Sequence, residues 1–98
     1  MTYDVQWTAL ALREFNEILD SVSEYSAGYA VALQEKADRF MLLLEDNPRL
    51  YRESRYMAGC RDIVVDNYLF IYRVDDEARE VHILRAFHGA RDIAALLL

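Results

Sequence analysis

Two histidines, His82 and His88, are the only side chains of this 98-residue chain whose ordinary pKa lies near neutrality. Three arginines, Arg73, Arg85 and Arg91, accompany them in the last third of the sequence. An imidazole that moves protons, beside guanidinium groups that hold a phosphate, is a sufficient kit for cleaving a phosphodiester. On a two-residue strand period His82 and His88 share a face with Leu84 and Ala86. His88 with Arg91 is the pair such chemistry would use. The plainer expectation is that His88 satisfies backbone groups at a strand end and that His82 faces solvent. Arginine in a strand of Tyr, Phe and Ile calls for an ionic partner, because unpaired buried charge is costly. Asp66, Asp75 and Asp92 are the internal candidates, and acidic residues of a partner protein are the alternative. One Cys and two His show no zinc-ligand spacing, so neither a metal nor a cofactor is expected.

The elements that must position these residues follow from hydrophobic period. Tyr3-Asp4-Val5-Gln6-Trp7 alternates as a half-buried strand does. Thr8 can cap a helix whose apolar stripe is Leu12, Phe15, Ile18/Leu19, Val22 and Tyr25. Ser26 can cap a second helix with Leu33, Ala37, Phe40 and Leu44 on one face, ended by Asn47-Pro48. So short a break predicts an antiparallel helix pair. Residues 49–59 read as a loop and 61–66 as a strand. Asp66-Asn67 is a turn signal. Residues 68–74 and 81–88 are rich in aromatic and branched side chains and read as strands joined by a hairpin loop at 75–79. A last helical turn is expected after Gly89. The predicted class is α+β in the order β-α-α-β-β-β-(α): a small, mostly antiparallel sheet on an antiparallel helix hairpin, as one domain over 1–98.

Composition narrows the function. A 54% hydrophobic fraction excludes disorder. The net charge of −6 argues against non-specific nucleic-acid binding, which depends on phosphate neutralisation. All of that charge sits in the first 48 residues. A local basic run, Arg49, Arg52, Arg55 and Arg61, could form a phosphate-facing patch, but is expected to pair with local carboxylates or with an acidic segment elsewhere, the helical hairpin being the obvious candidate. A lone Cys60 reads as a small buried hydrophobe in a reducing cytoplasm. The chain's start does not read as a signal peptide, and its apolar runs are too short to span a bilayer. In the strand at 68–74, Tyr68, Phe70 and Tyr72 occupy one face and Leu69, Ile71 and Arg73 the other. Helices can cover only one of these. Leu69 and Ile71 are therefore expected to be exposed and to await a partner polypeptide, a helix laid in a groove being one solution. Cover by the chain's own tail, 93–98, is the alternative.

Taken together, Asp46-Asn47-Pro48-Arg49-Leu50, the strand Tyr68-Leu69-Phe70-Ile71-Tyr72-Arg73-Val74 and the close Leu84-Arg85-Ala86-Phe87-His88-Gly89-Ala90-Arg91-Asp92 resemble the ParE/RelE toxin superfamily. The match is nearest its ParE, or plasmid-stabilisation, branch. The resemblance implies a toxin of a type II toxin–antitoxin system in a hetero-oligomer with a ParD-like antitoxin. For the ParE branch it implies inhibition of DNA gyrase by binding rather than enzymatic turnover. The related RelE branch cuts messenger RNA on the ribosome. That branch places an Arg after the Tyr opening the central strand, an Arg after the Gly of the last turn, and an aromatic residue at the end. Here Leu69 fills the first position, Arg91 matches the second, and the tail is Ile93-Ala94-Ala95-Leu96-Leu97-Leu98. The expected partner-binding residues are Leu69, Ile71, Arg73, Leu84, Arg85, Arg91, Leu96, Leu97 and Leu98. Two alternatives stay open: a RelE-like endoribonuclease using Arg91 and His88, and an inactive member that only binds its partner.

Overall fold

Thr8 and Ser26 both adopt extended backbone angles and accept a backbone N–H into their side-chain oxygens, from Ala11 and Tyr29, each at 3.1 Å. Each cap satisfies a donor with no intrahelical acceptor, and each starts a helix where the sequence places it. The computed structural model describes residues 2–89 and Asp92. Its elements are β1 (Asp4–Trp7), α1 (Ala9–Ser23), α2 (Ala27–Asp46), β2 (Arg61–Val65), β3 (Tyr68–Asp75) and β4 (Glu80–His88). The α2 helix ends one residue before Asn47-Pro48, as proline requires. Gly89 and Asp92 are helical, but the rest of the expected terminal turn lies outside the described residues. No helix among the described residues is long and apolar enough to cross a membrane.

The sheet order is β1-β4-β3-β2. β3 pairs antiparallel with both β2 and β4, and β1 pairs parallel with β4. The predicted α+β architecture and element order hold. Two turn positions take left-handed backbone angles, Asp66 at φ 54° between β2 and β3 and Arg79 at φ 54° before β4. Gly89 has a separate constraint. Its N–H donates to the Asn67 carbonyl at 2.7 Å, and a Cβ there would stand 2.7 Å from the same oxygen.

The helices cover one sheet face. α1 buries Ala11, Phe15, Ile18 and Val22, and α2 buries Leu33, Ala37, Met41 and Leu44. Two expected stripe residues fall elsewhere: Leu12 is 48% exposed and Tyr25 89%. Spacings of four, three and four from Ala11 keep one line on a 3.6-residue helix, and Leu12 stands about 100° off it. Small Ala11 fits where the helix approaches the sheet. Trp7 stacks on Phe15 with centroids 5.4 Å apart, and Phe70 meets Trp7 and Phe15 edge-on at 5.9 and 5.3 Å. Such tilted contacts suit the ring quadrupoles.

The other face corrects the sequence reading. Leu69 and Ile71 are buried, at 3% and 0% exposure. They pack with Cys60 and Phe87 beneath Tyr56, Met57 and Leu84. Among the described residues the cover is therefore the chain's own loop between α2 and β2; the tail, 93–98, lies outside the described residues. The loop holds its shape by local bonds: the Ser54 hydroxyl accepts from the backbone N–H of Tyr56 and Met57, and the Ser54 N–H donates to the Cys60 carbonyl. Its ends are pinned by Tyr72 Oη donating to the Pro48 carbonyl and by Arg61 donating to the Tyr51 carbonyl, both at 2.7 Å. A segment without hydrophobic period can still supply an apolar underside, because each covering residue follows its own turn. Arg49, moreover, pairs at 2.6 Å with Asp76 in the β3–β4 loop rather than with the acidic helices. Hydrogen bonds from Arg49 and then Tyr3 hold the Asp76 carboxyl down to about 2.

One polar side chain is sealed under this loop. Asp62 is 2% exposed, sits opposite Ile71 in the β2–β3 register, and neither carboxylate oxygen has a hydrogen-bond partner. An unsatisfied buried acceptor costs free energy that an apolar side chain does not. Asp62→Val should raise the free energy of unfolding in urea by about 1–3 kcal/mol. A loss of stability instead would show that the carboxylate has a favourable role.

Candidate functional site

A cleft of about 740 Å³ opens between α1 and the far ends of β3 and β4. Glu14, Glu17 and Ser21 line it from α1, Tyr25 from the turn after α1, Tyr68 from β3, Arg85 and His88 from β4, with Asp92 at one side. Its form follows from a mismatch in strand length. β1 pairs with β4 only as far as Ile83, so the outer edge of β4 is left without a strand partner beyond that point. Thr8 satisfies the first part of this edge, its N–H donating to the Ile83 carbonyl and its hydroxyl to the Leu84 carbonyl. Glu14 satisfies the next part, accepting the Ala86 N–H at 3.0 Å.

The same Glu14 carboxylate grips the Arg85 guanidinium through both oxygens, at 2.8 to 3.2 Å. Those hydrogen bonds raise the Arg85 pKa above its ordinary value. The Arg85 guanidinium also lies 4.4 Å from the centre of the Phe87 ring. Arg85 is thus paired within the molecule, chiefly by Glu14, an acid not suggested by sequence, with the charge of Asp92, one of the three that were, adding to the attraction. Asp66 instead accepts from Tyr29 and Lys36, and Asp75 accepts the Ala78 N–H. Arg73 is exposed and has no ionic partner among the described residues.

A bulge overturns the shared face of the two histidines. Tyr72 pairs with Ile83 and Ile71 with Arg85, so Leu84 has no partner on β3. An extra residue in one strand reverses the side-chain alternation beyond it. His82 therefore lies on the loop-covered face, while His88 pairs with Tyr68 on the helix face. The His88 ring meets Tyr68 edge-on at 5.3 Å, and its backbone N–H donates to Asp92 at 2.6 Å. Its Nδ1 is buried without a hydrogen bond, contrary to the expectation that His88 satisfies backbone groups. Leu84, at the bulge, packs against the cluster of Cys60, Leu69, Ile71 and Phe87. Arg91, Leu96, Leu97 and Leu98 lie outside the described residues.

Two features were missed from sequence. Glu14 reads as one more exposed helical acid, and nothing local marks it as the residue that closes a sheet edge. The second had a signal. Met41-Leu42-Leu43-Leu44 is four apolar residues in a row, which no single helix face can hold. Leu42 and Leu43 are accordingly 66% and 53% exposed, and Val64 on the edge strand β2 is 54% exposed. Leu43 and Val64, with Phe40 and Val65, line a groove of about 460 Å³ rimmed by Lys36, Arg39 and Asp66. This groove is the apolar surface left open among the described residues at a sheet edge, in place of the one expected at Leu69 and Ile71.

Chemically, the cleft is poor in free positive charge. Glu14, Glu17 and Asp92 surround its one described guanidinium, and that group is already held. Removing the Glu14 carboxylate would orphan both Arg85 and the Ala86 N–H. Glu14→Ala should lower the free energy of unfolding by about 1–3 kcal/mol, with Glu14→Gln recovering part of the loss. An unchanged urea midpoint in Glu14→Ala would mean that the β4 edge is satisfied by other groups.

Comparison with known proteins agrees with this geometry. The model of the ParE toxin of the type II toxin–antitoxin system parDE matches residues 5–93. No curated protein matches by sequence. A chain of the chromosomal ParDE toxin–antitoxin system from P. aeruginosa superposes with a TM-score of 0.68 at 19% identity, over 89% of this chain and 96% of that one. A chain of the intact E. coli RelBE toxin–antitoxin complex gives 0.66 at 20% identity, over 91% and 99%. A chain of the Mycobacterium tuberculosis RelBE2 complex gives 0.56 at 29% identity, over 90% and 99%. The sheet order, the helix hairpin and a family match over nearly the whole length converge: the chain belongs to the ParE toxin family of type II toxin–antitoxin systems.

Proposed function

We propose that this toxin acts stoichiometrically by binding DNA gyrase, and that a cognate antitoxin neutralises it by occupying the groove between α2 and β2. The acid-lined cleft is the observation that carries the binding reading over a ribonuclease. Cleaving RNA requires cationic groups aimed at a phosphate whose charge grows in the transition state. In the cleft, Arg85 is neutralised by Glu14, and Glu17 and Asp92 add negative charge. Leu69 occupies the position where the RNA-cutting branch carries an arginine, and it is buried. Loss of one such donor typically lowers a rate by ~10²–10³. The target contact is assigned to the last turn and tail, Arg91 with Leu96, Leu97 and Leu98.

The antitoxin contact moves from Leu69 and Ile71 to the groove, because the former are covered by the loop. An apolar trough between a helix and an edge strand suits an amphipathic or extended segment of a partner. Lys36 at its rim is held by Asp66, and Arg39 beside it favours an acidic one.

The test is a gyrase supercoiling assay with antitoxin-free toxin, run beside programmed ribosomes. Inhibited supercoiling with a trapped cleavage complex, and uncut messenger RNA, is the expected result. Leu43→Asp should still inhibit gyrase but resist rescue by the product of the adjacent antitoxin gene. Codon-specific cuts in the ribosome arm, with gyrase unaffected, would overturn the target. Full rescue of Leu43→Asp would remove the groove.

A further inference from the structure

Asp75, Glu80 and His82 each offer one ligand atom, and these three atoms lie within 4.8 Å of one another. We propose that this cluster, at the tip of the β3–β4 hairpin, is a binding site for a divalent first-row transition-metal ion such as Zn²⁺. The site is separate from the cleft and from the groove, and it does not depend on which cellular target the toxin has.

The strand register builds it. Asp75 stands directly opposite Glu80, and His82 follows two residues along β4, so all three side chains leave the same face of the sheet. Two carboxylates directly opposite one another repel unless a cation lies between them. Among the described residues the basic group that meets the pair is His82, whose Nε2 is 3.4 Å from Glu80 Oε1 and which is charged only when protonated. Arg73, the register partner of His82, makes no ion pair with either carboxylate among the described residues.

The donor set selects the metal class. One imidazole with two carboxylates is a nitrogen–oxygen set that suits Zn²⁺ and its first-row neighbours, whereas Mg²⁺ and Ca²⁺ prefer oxygen alone. Three protein ligands leave coordination positions for water. The side chains of His82 and Glu80 are 24% and 29% exposed, so an ion can reach them from solvent.

Each carboxylate also accepts a hydrogen bond through one oxygen. The Ala78 N–H donates to Asp75 Oδ1 at 3.1 Å. The Gln6 side-chain amide donates to Glu80 Oε2 at 2.8 Å and to Asp4 Oδ2 at 2.9 Å. Donors of this kind orient metal ligands, and their loss typically weakens binding by about 10–100-fold.

The experiment is titration of the full chain with ZnCl2 against a chromophoric chelator, with MgCl2 as the comparison ion. One Zn²⁺ per chain and no competition from Mg²⁺ are expected. His82→Ala and Asp75→Asn should each abolish that site, and Gln6→Leu should weaken it by about 10–100-fold. Glu77→Gln, in the same hairpin loop, and His88→Gln should bind as the parent does. Far-ultraviolet circular dichroism establishes that each variant is folded. A measurement on the unmodified chain stands beside these: substoichiometric Co²⁺ should broaden the His82 ring resonances in the proton spectrum before those of His88. Absence of a stoichiometric site, undiminished binding in His82→Ala, or broadening of His88 first would each overturn the proposal.

Discussion

The structure depends on keeping β3 dry on both sides. Five successive residues, Tyr68 through Tyr72, are buried. A strand in that condition needs two covers, and α1 and α2 supply only one. The helices take the side of Tyr68, Phe70 and Tyr72, where the Trp7–Phe15–Phe70 rings interlock. The loop of residues 49–60 takes the side of Leu69 and Ile71. That second cover has a cost. Closing the loop strands the Asp62 carboxylate without a partner, so the two faces are not equally well made. Burial also raises the Tyr72 phenol to about 12, while its hydroxyl still pins the loop at Pro48. The central strand thereby ties the loop to the side it does not cover.

Function follows from what this packing leaves over. With both faces of β3 closed, the apolar and concave surfaces left open among the described residues lie at the periphery of the sheet. The β2 edge offers Val64 beside Leu43 of α2, and the free end of β4 offers the cleft. The Leu84 bulge decides what chemistry the cleft can hold. By reversing the alternation it sends His88 toward the helices and leaves His82 on the opposite face, so the two imidazoles cannot act on one substrate. The carboxylate that repairs the β4 edge, Glu14, also neutralises Arg85. One structural repair thus removes a cation that phosphodiester chemistry would need.

Most of the architecture could be read from residue type and spacing. The caps at Thr8 and Ser26, the stop at Asn47-Pro48 and the branched and aromatic strands are local signals, and local physics sets them. The strand pattern also showed correctly that β3 is apolar on both faces. What covers the second face was not readable, because residues 49–60 have no period and their packing depends on contacts distant in sequence. The bulge was equally hidden: Val81 through His88 alternates no less well with one residue skipped as without. Glu14 and Ala11 illustrate the same limit. Their roles come from where α1 meets β4, and neither residue type announces it.

Cys60 provides the most direct test of the closed second face. It is the single cysteine, 6% exposed, and burial raises its thiol above the ordinary value, all by virtue of the loop lying on Leu69, Ile71 and Phe87. The rate of its reaction with a neutral-charge thiol reagent should be far slower in the native chain than in urea, and should accelerate only as the loop opens. Immediate stoichiometric labelling under native conditions, with the helices intact by circular dichroism, would mean that the loop does not cover the sheet and that the apolar face is open after all.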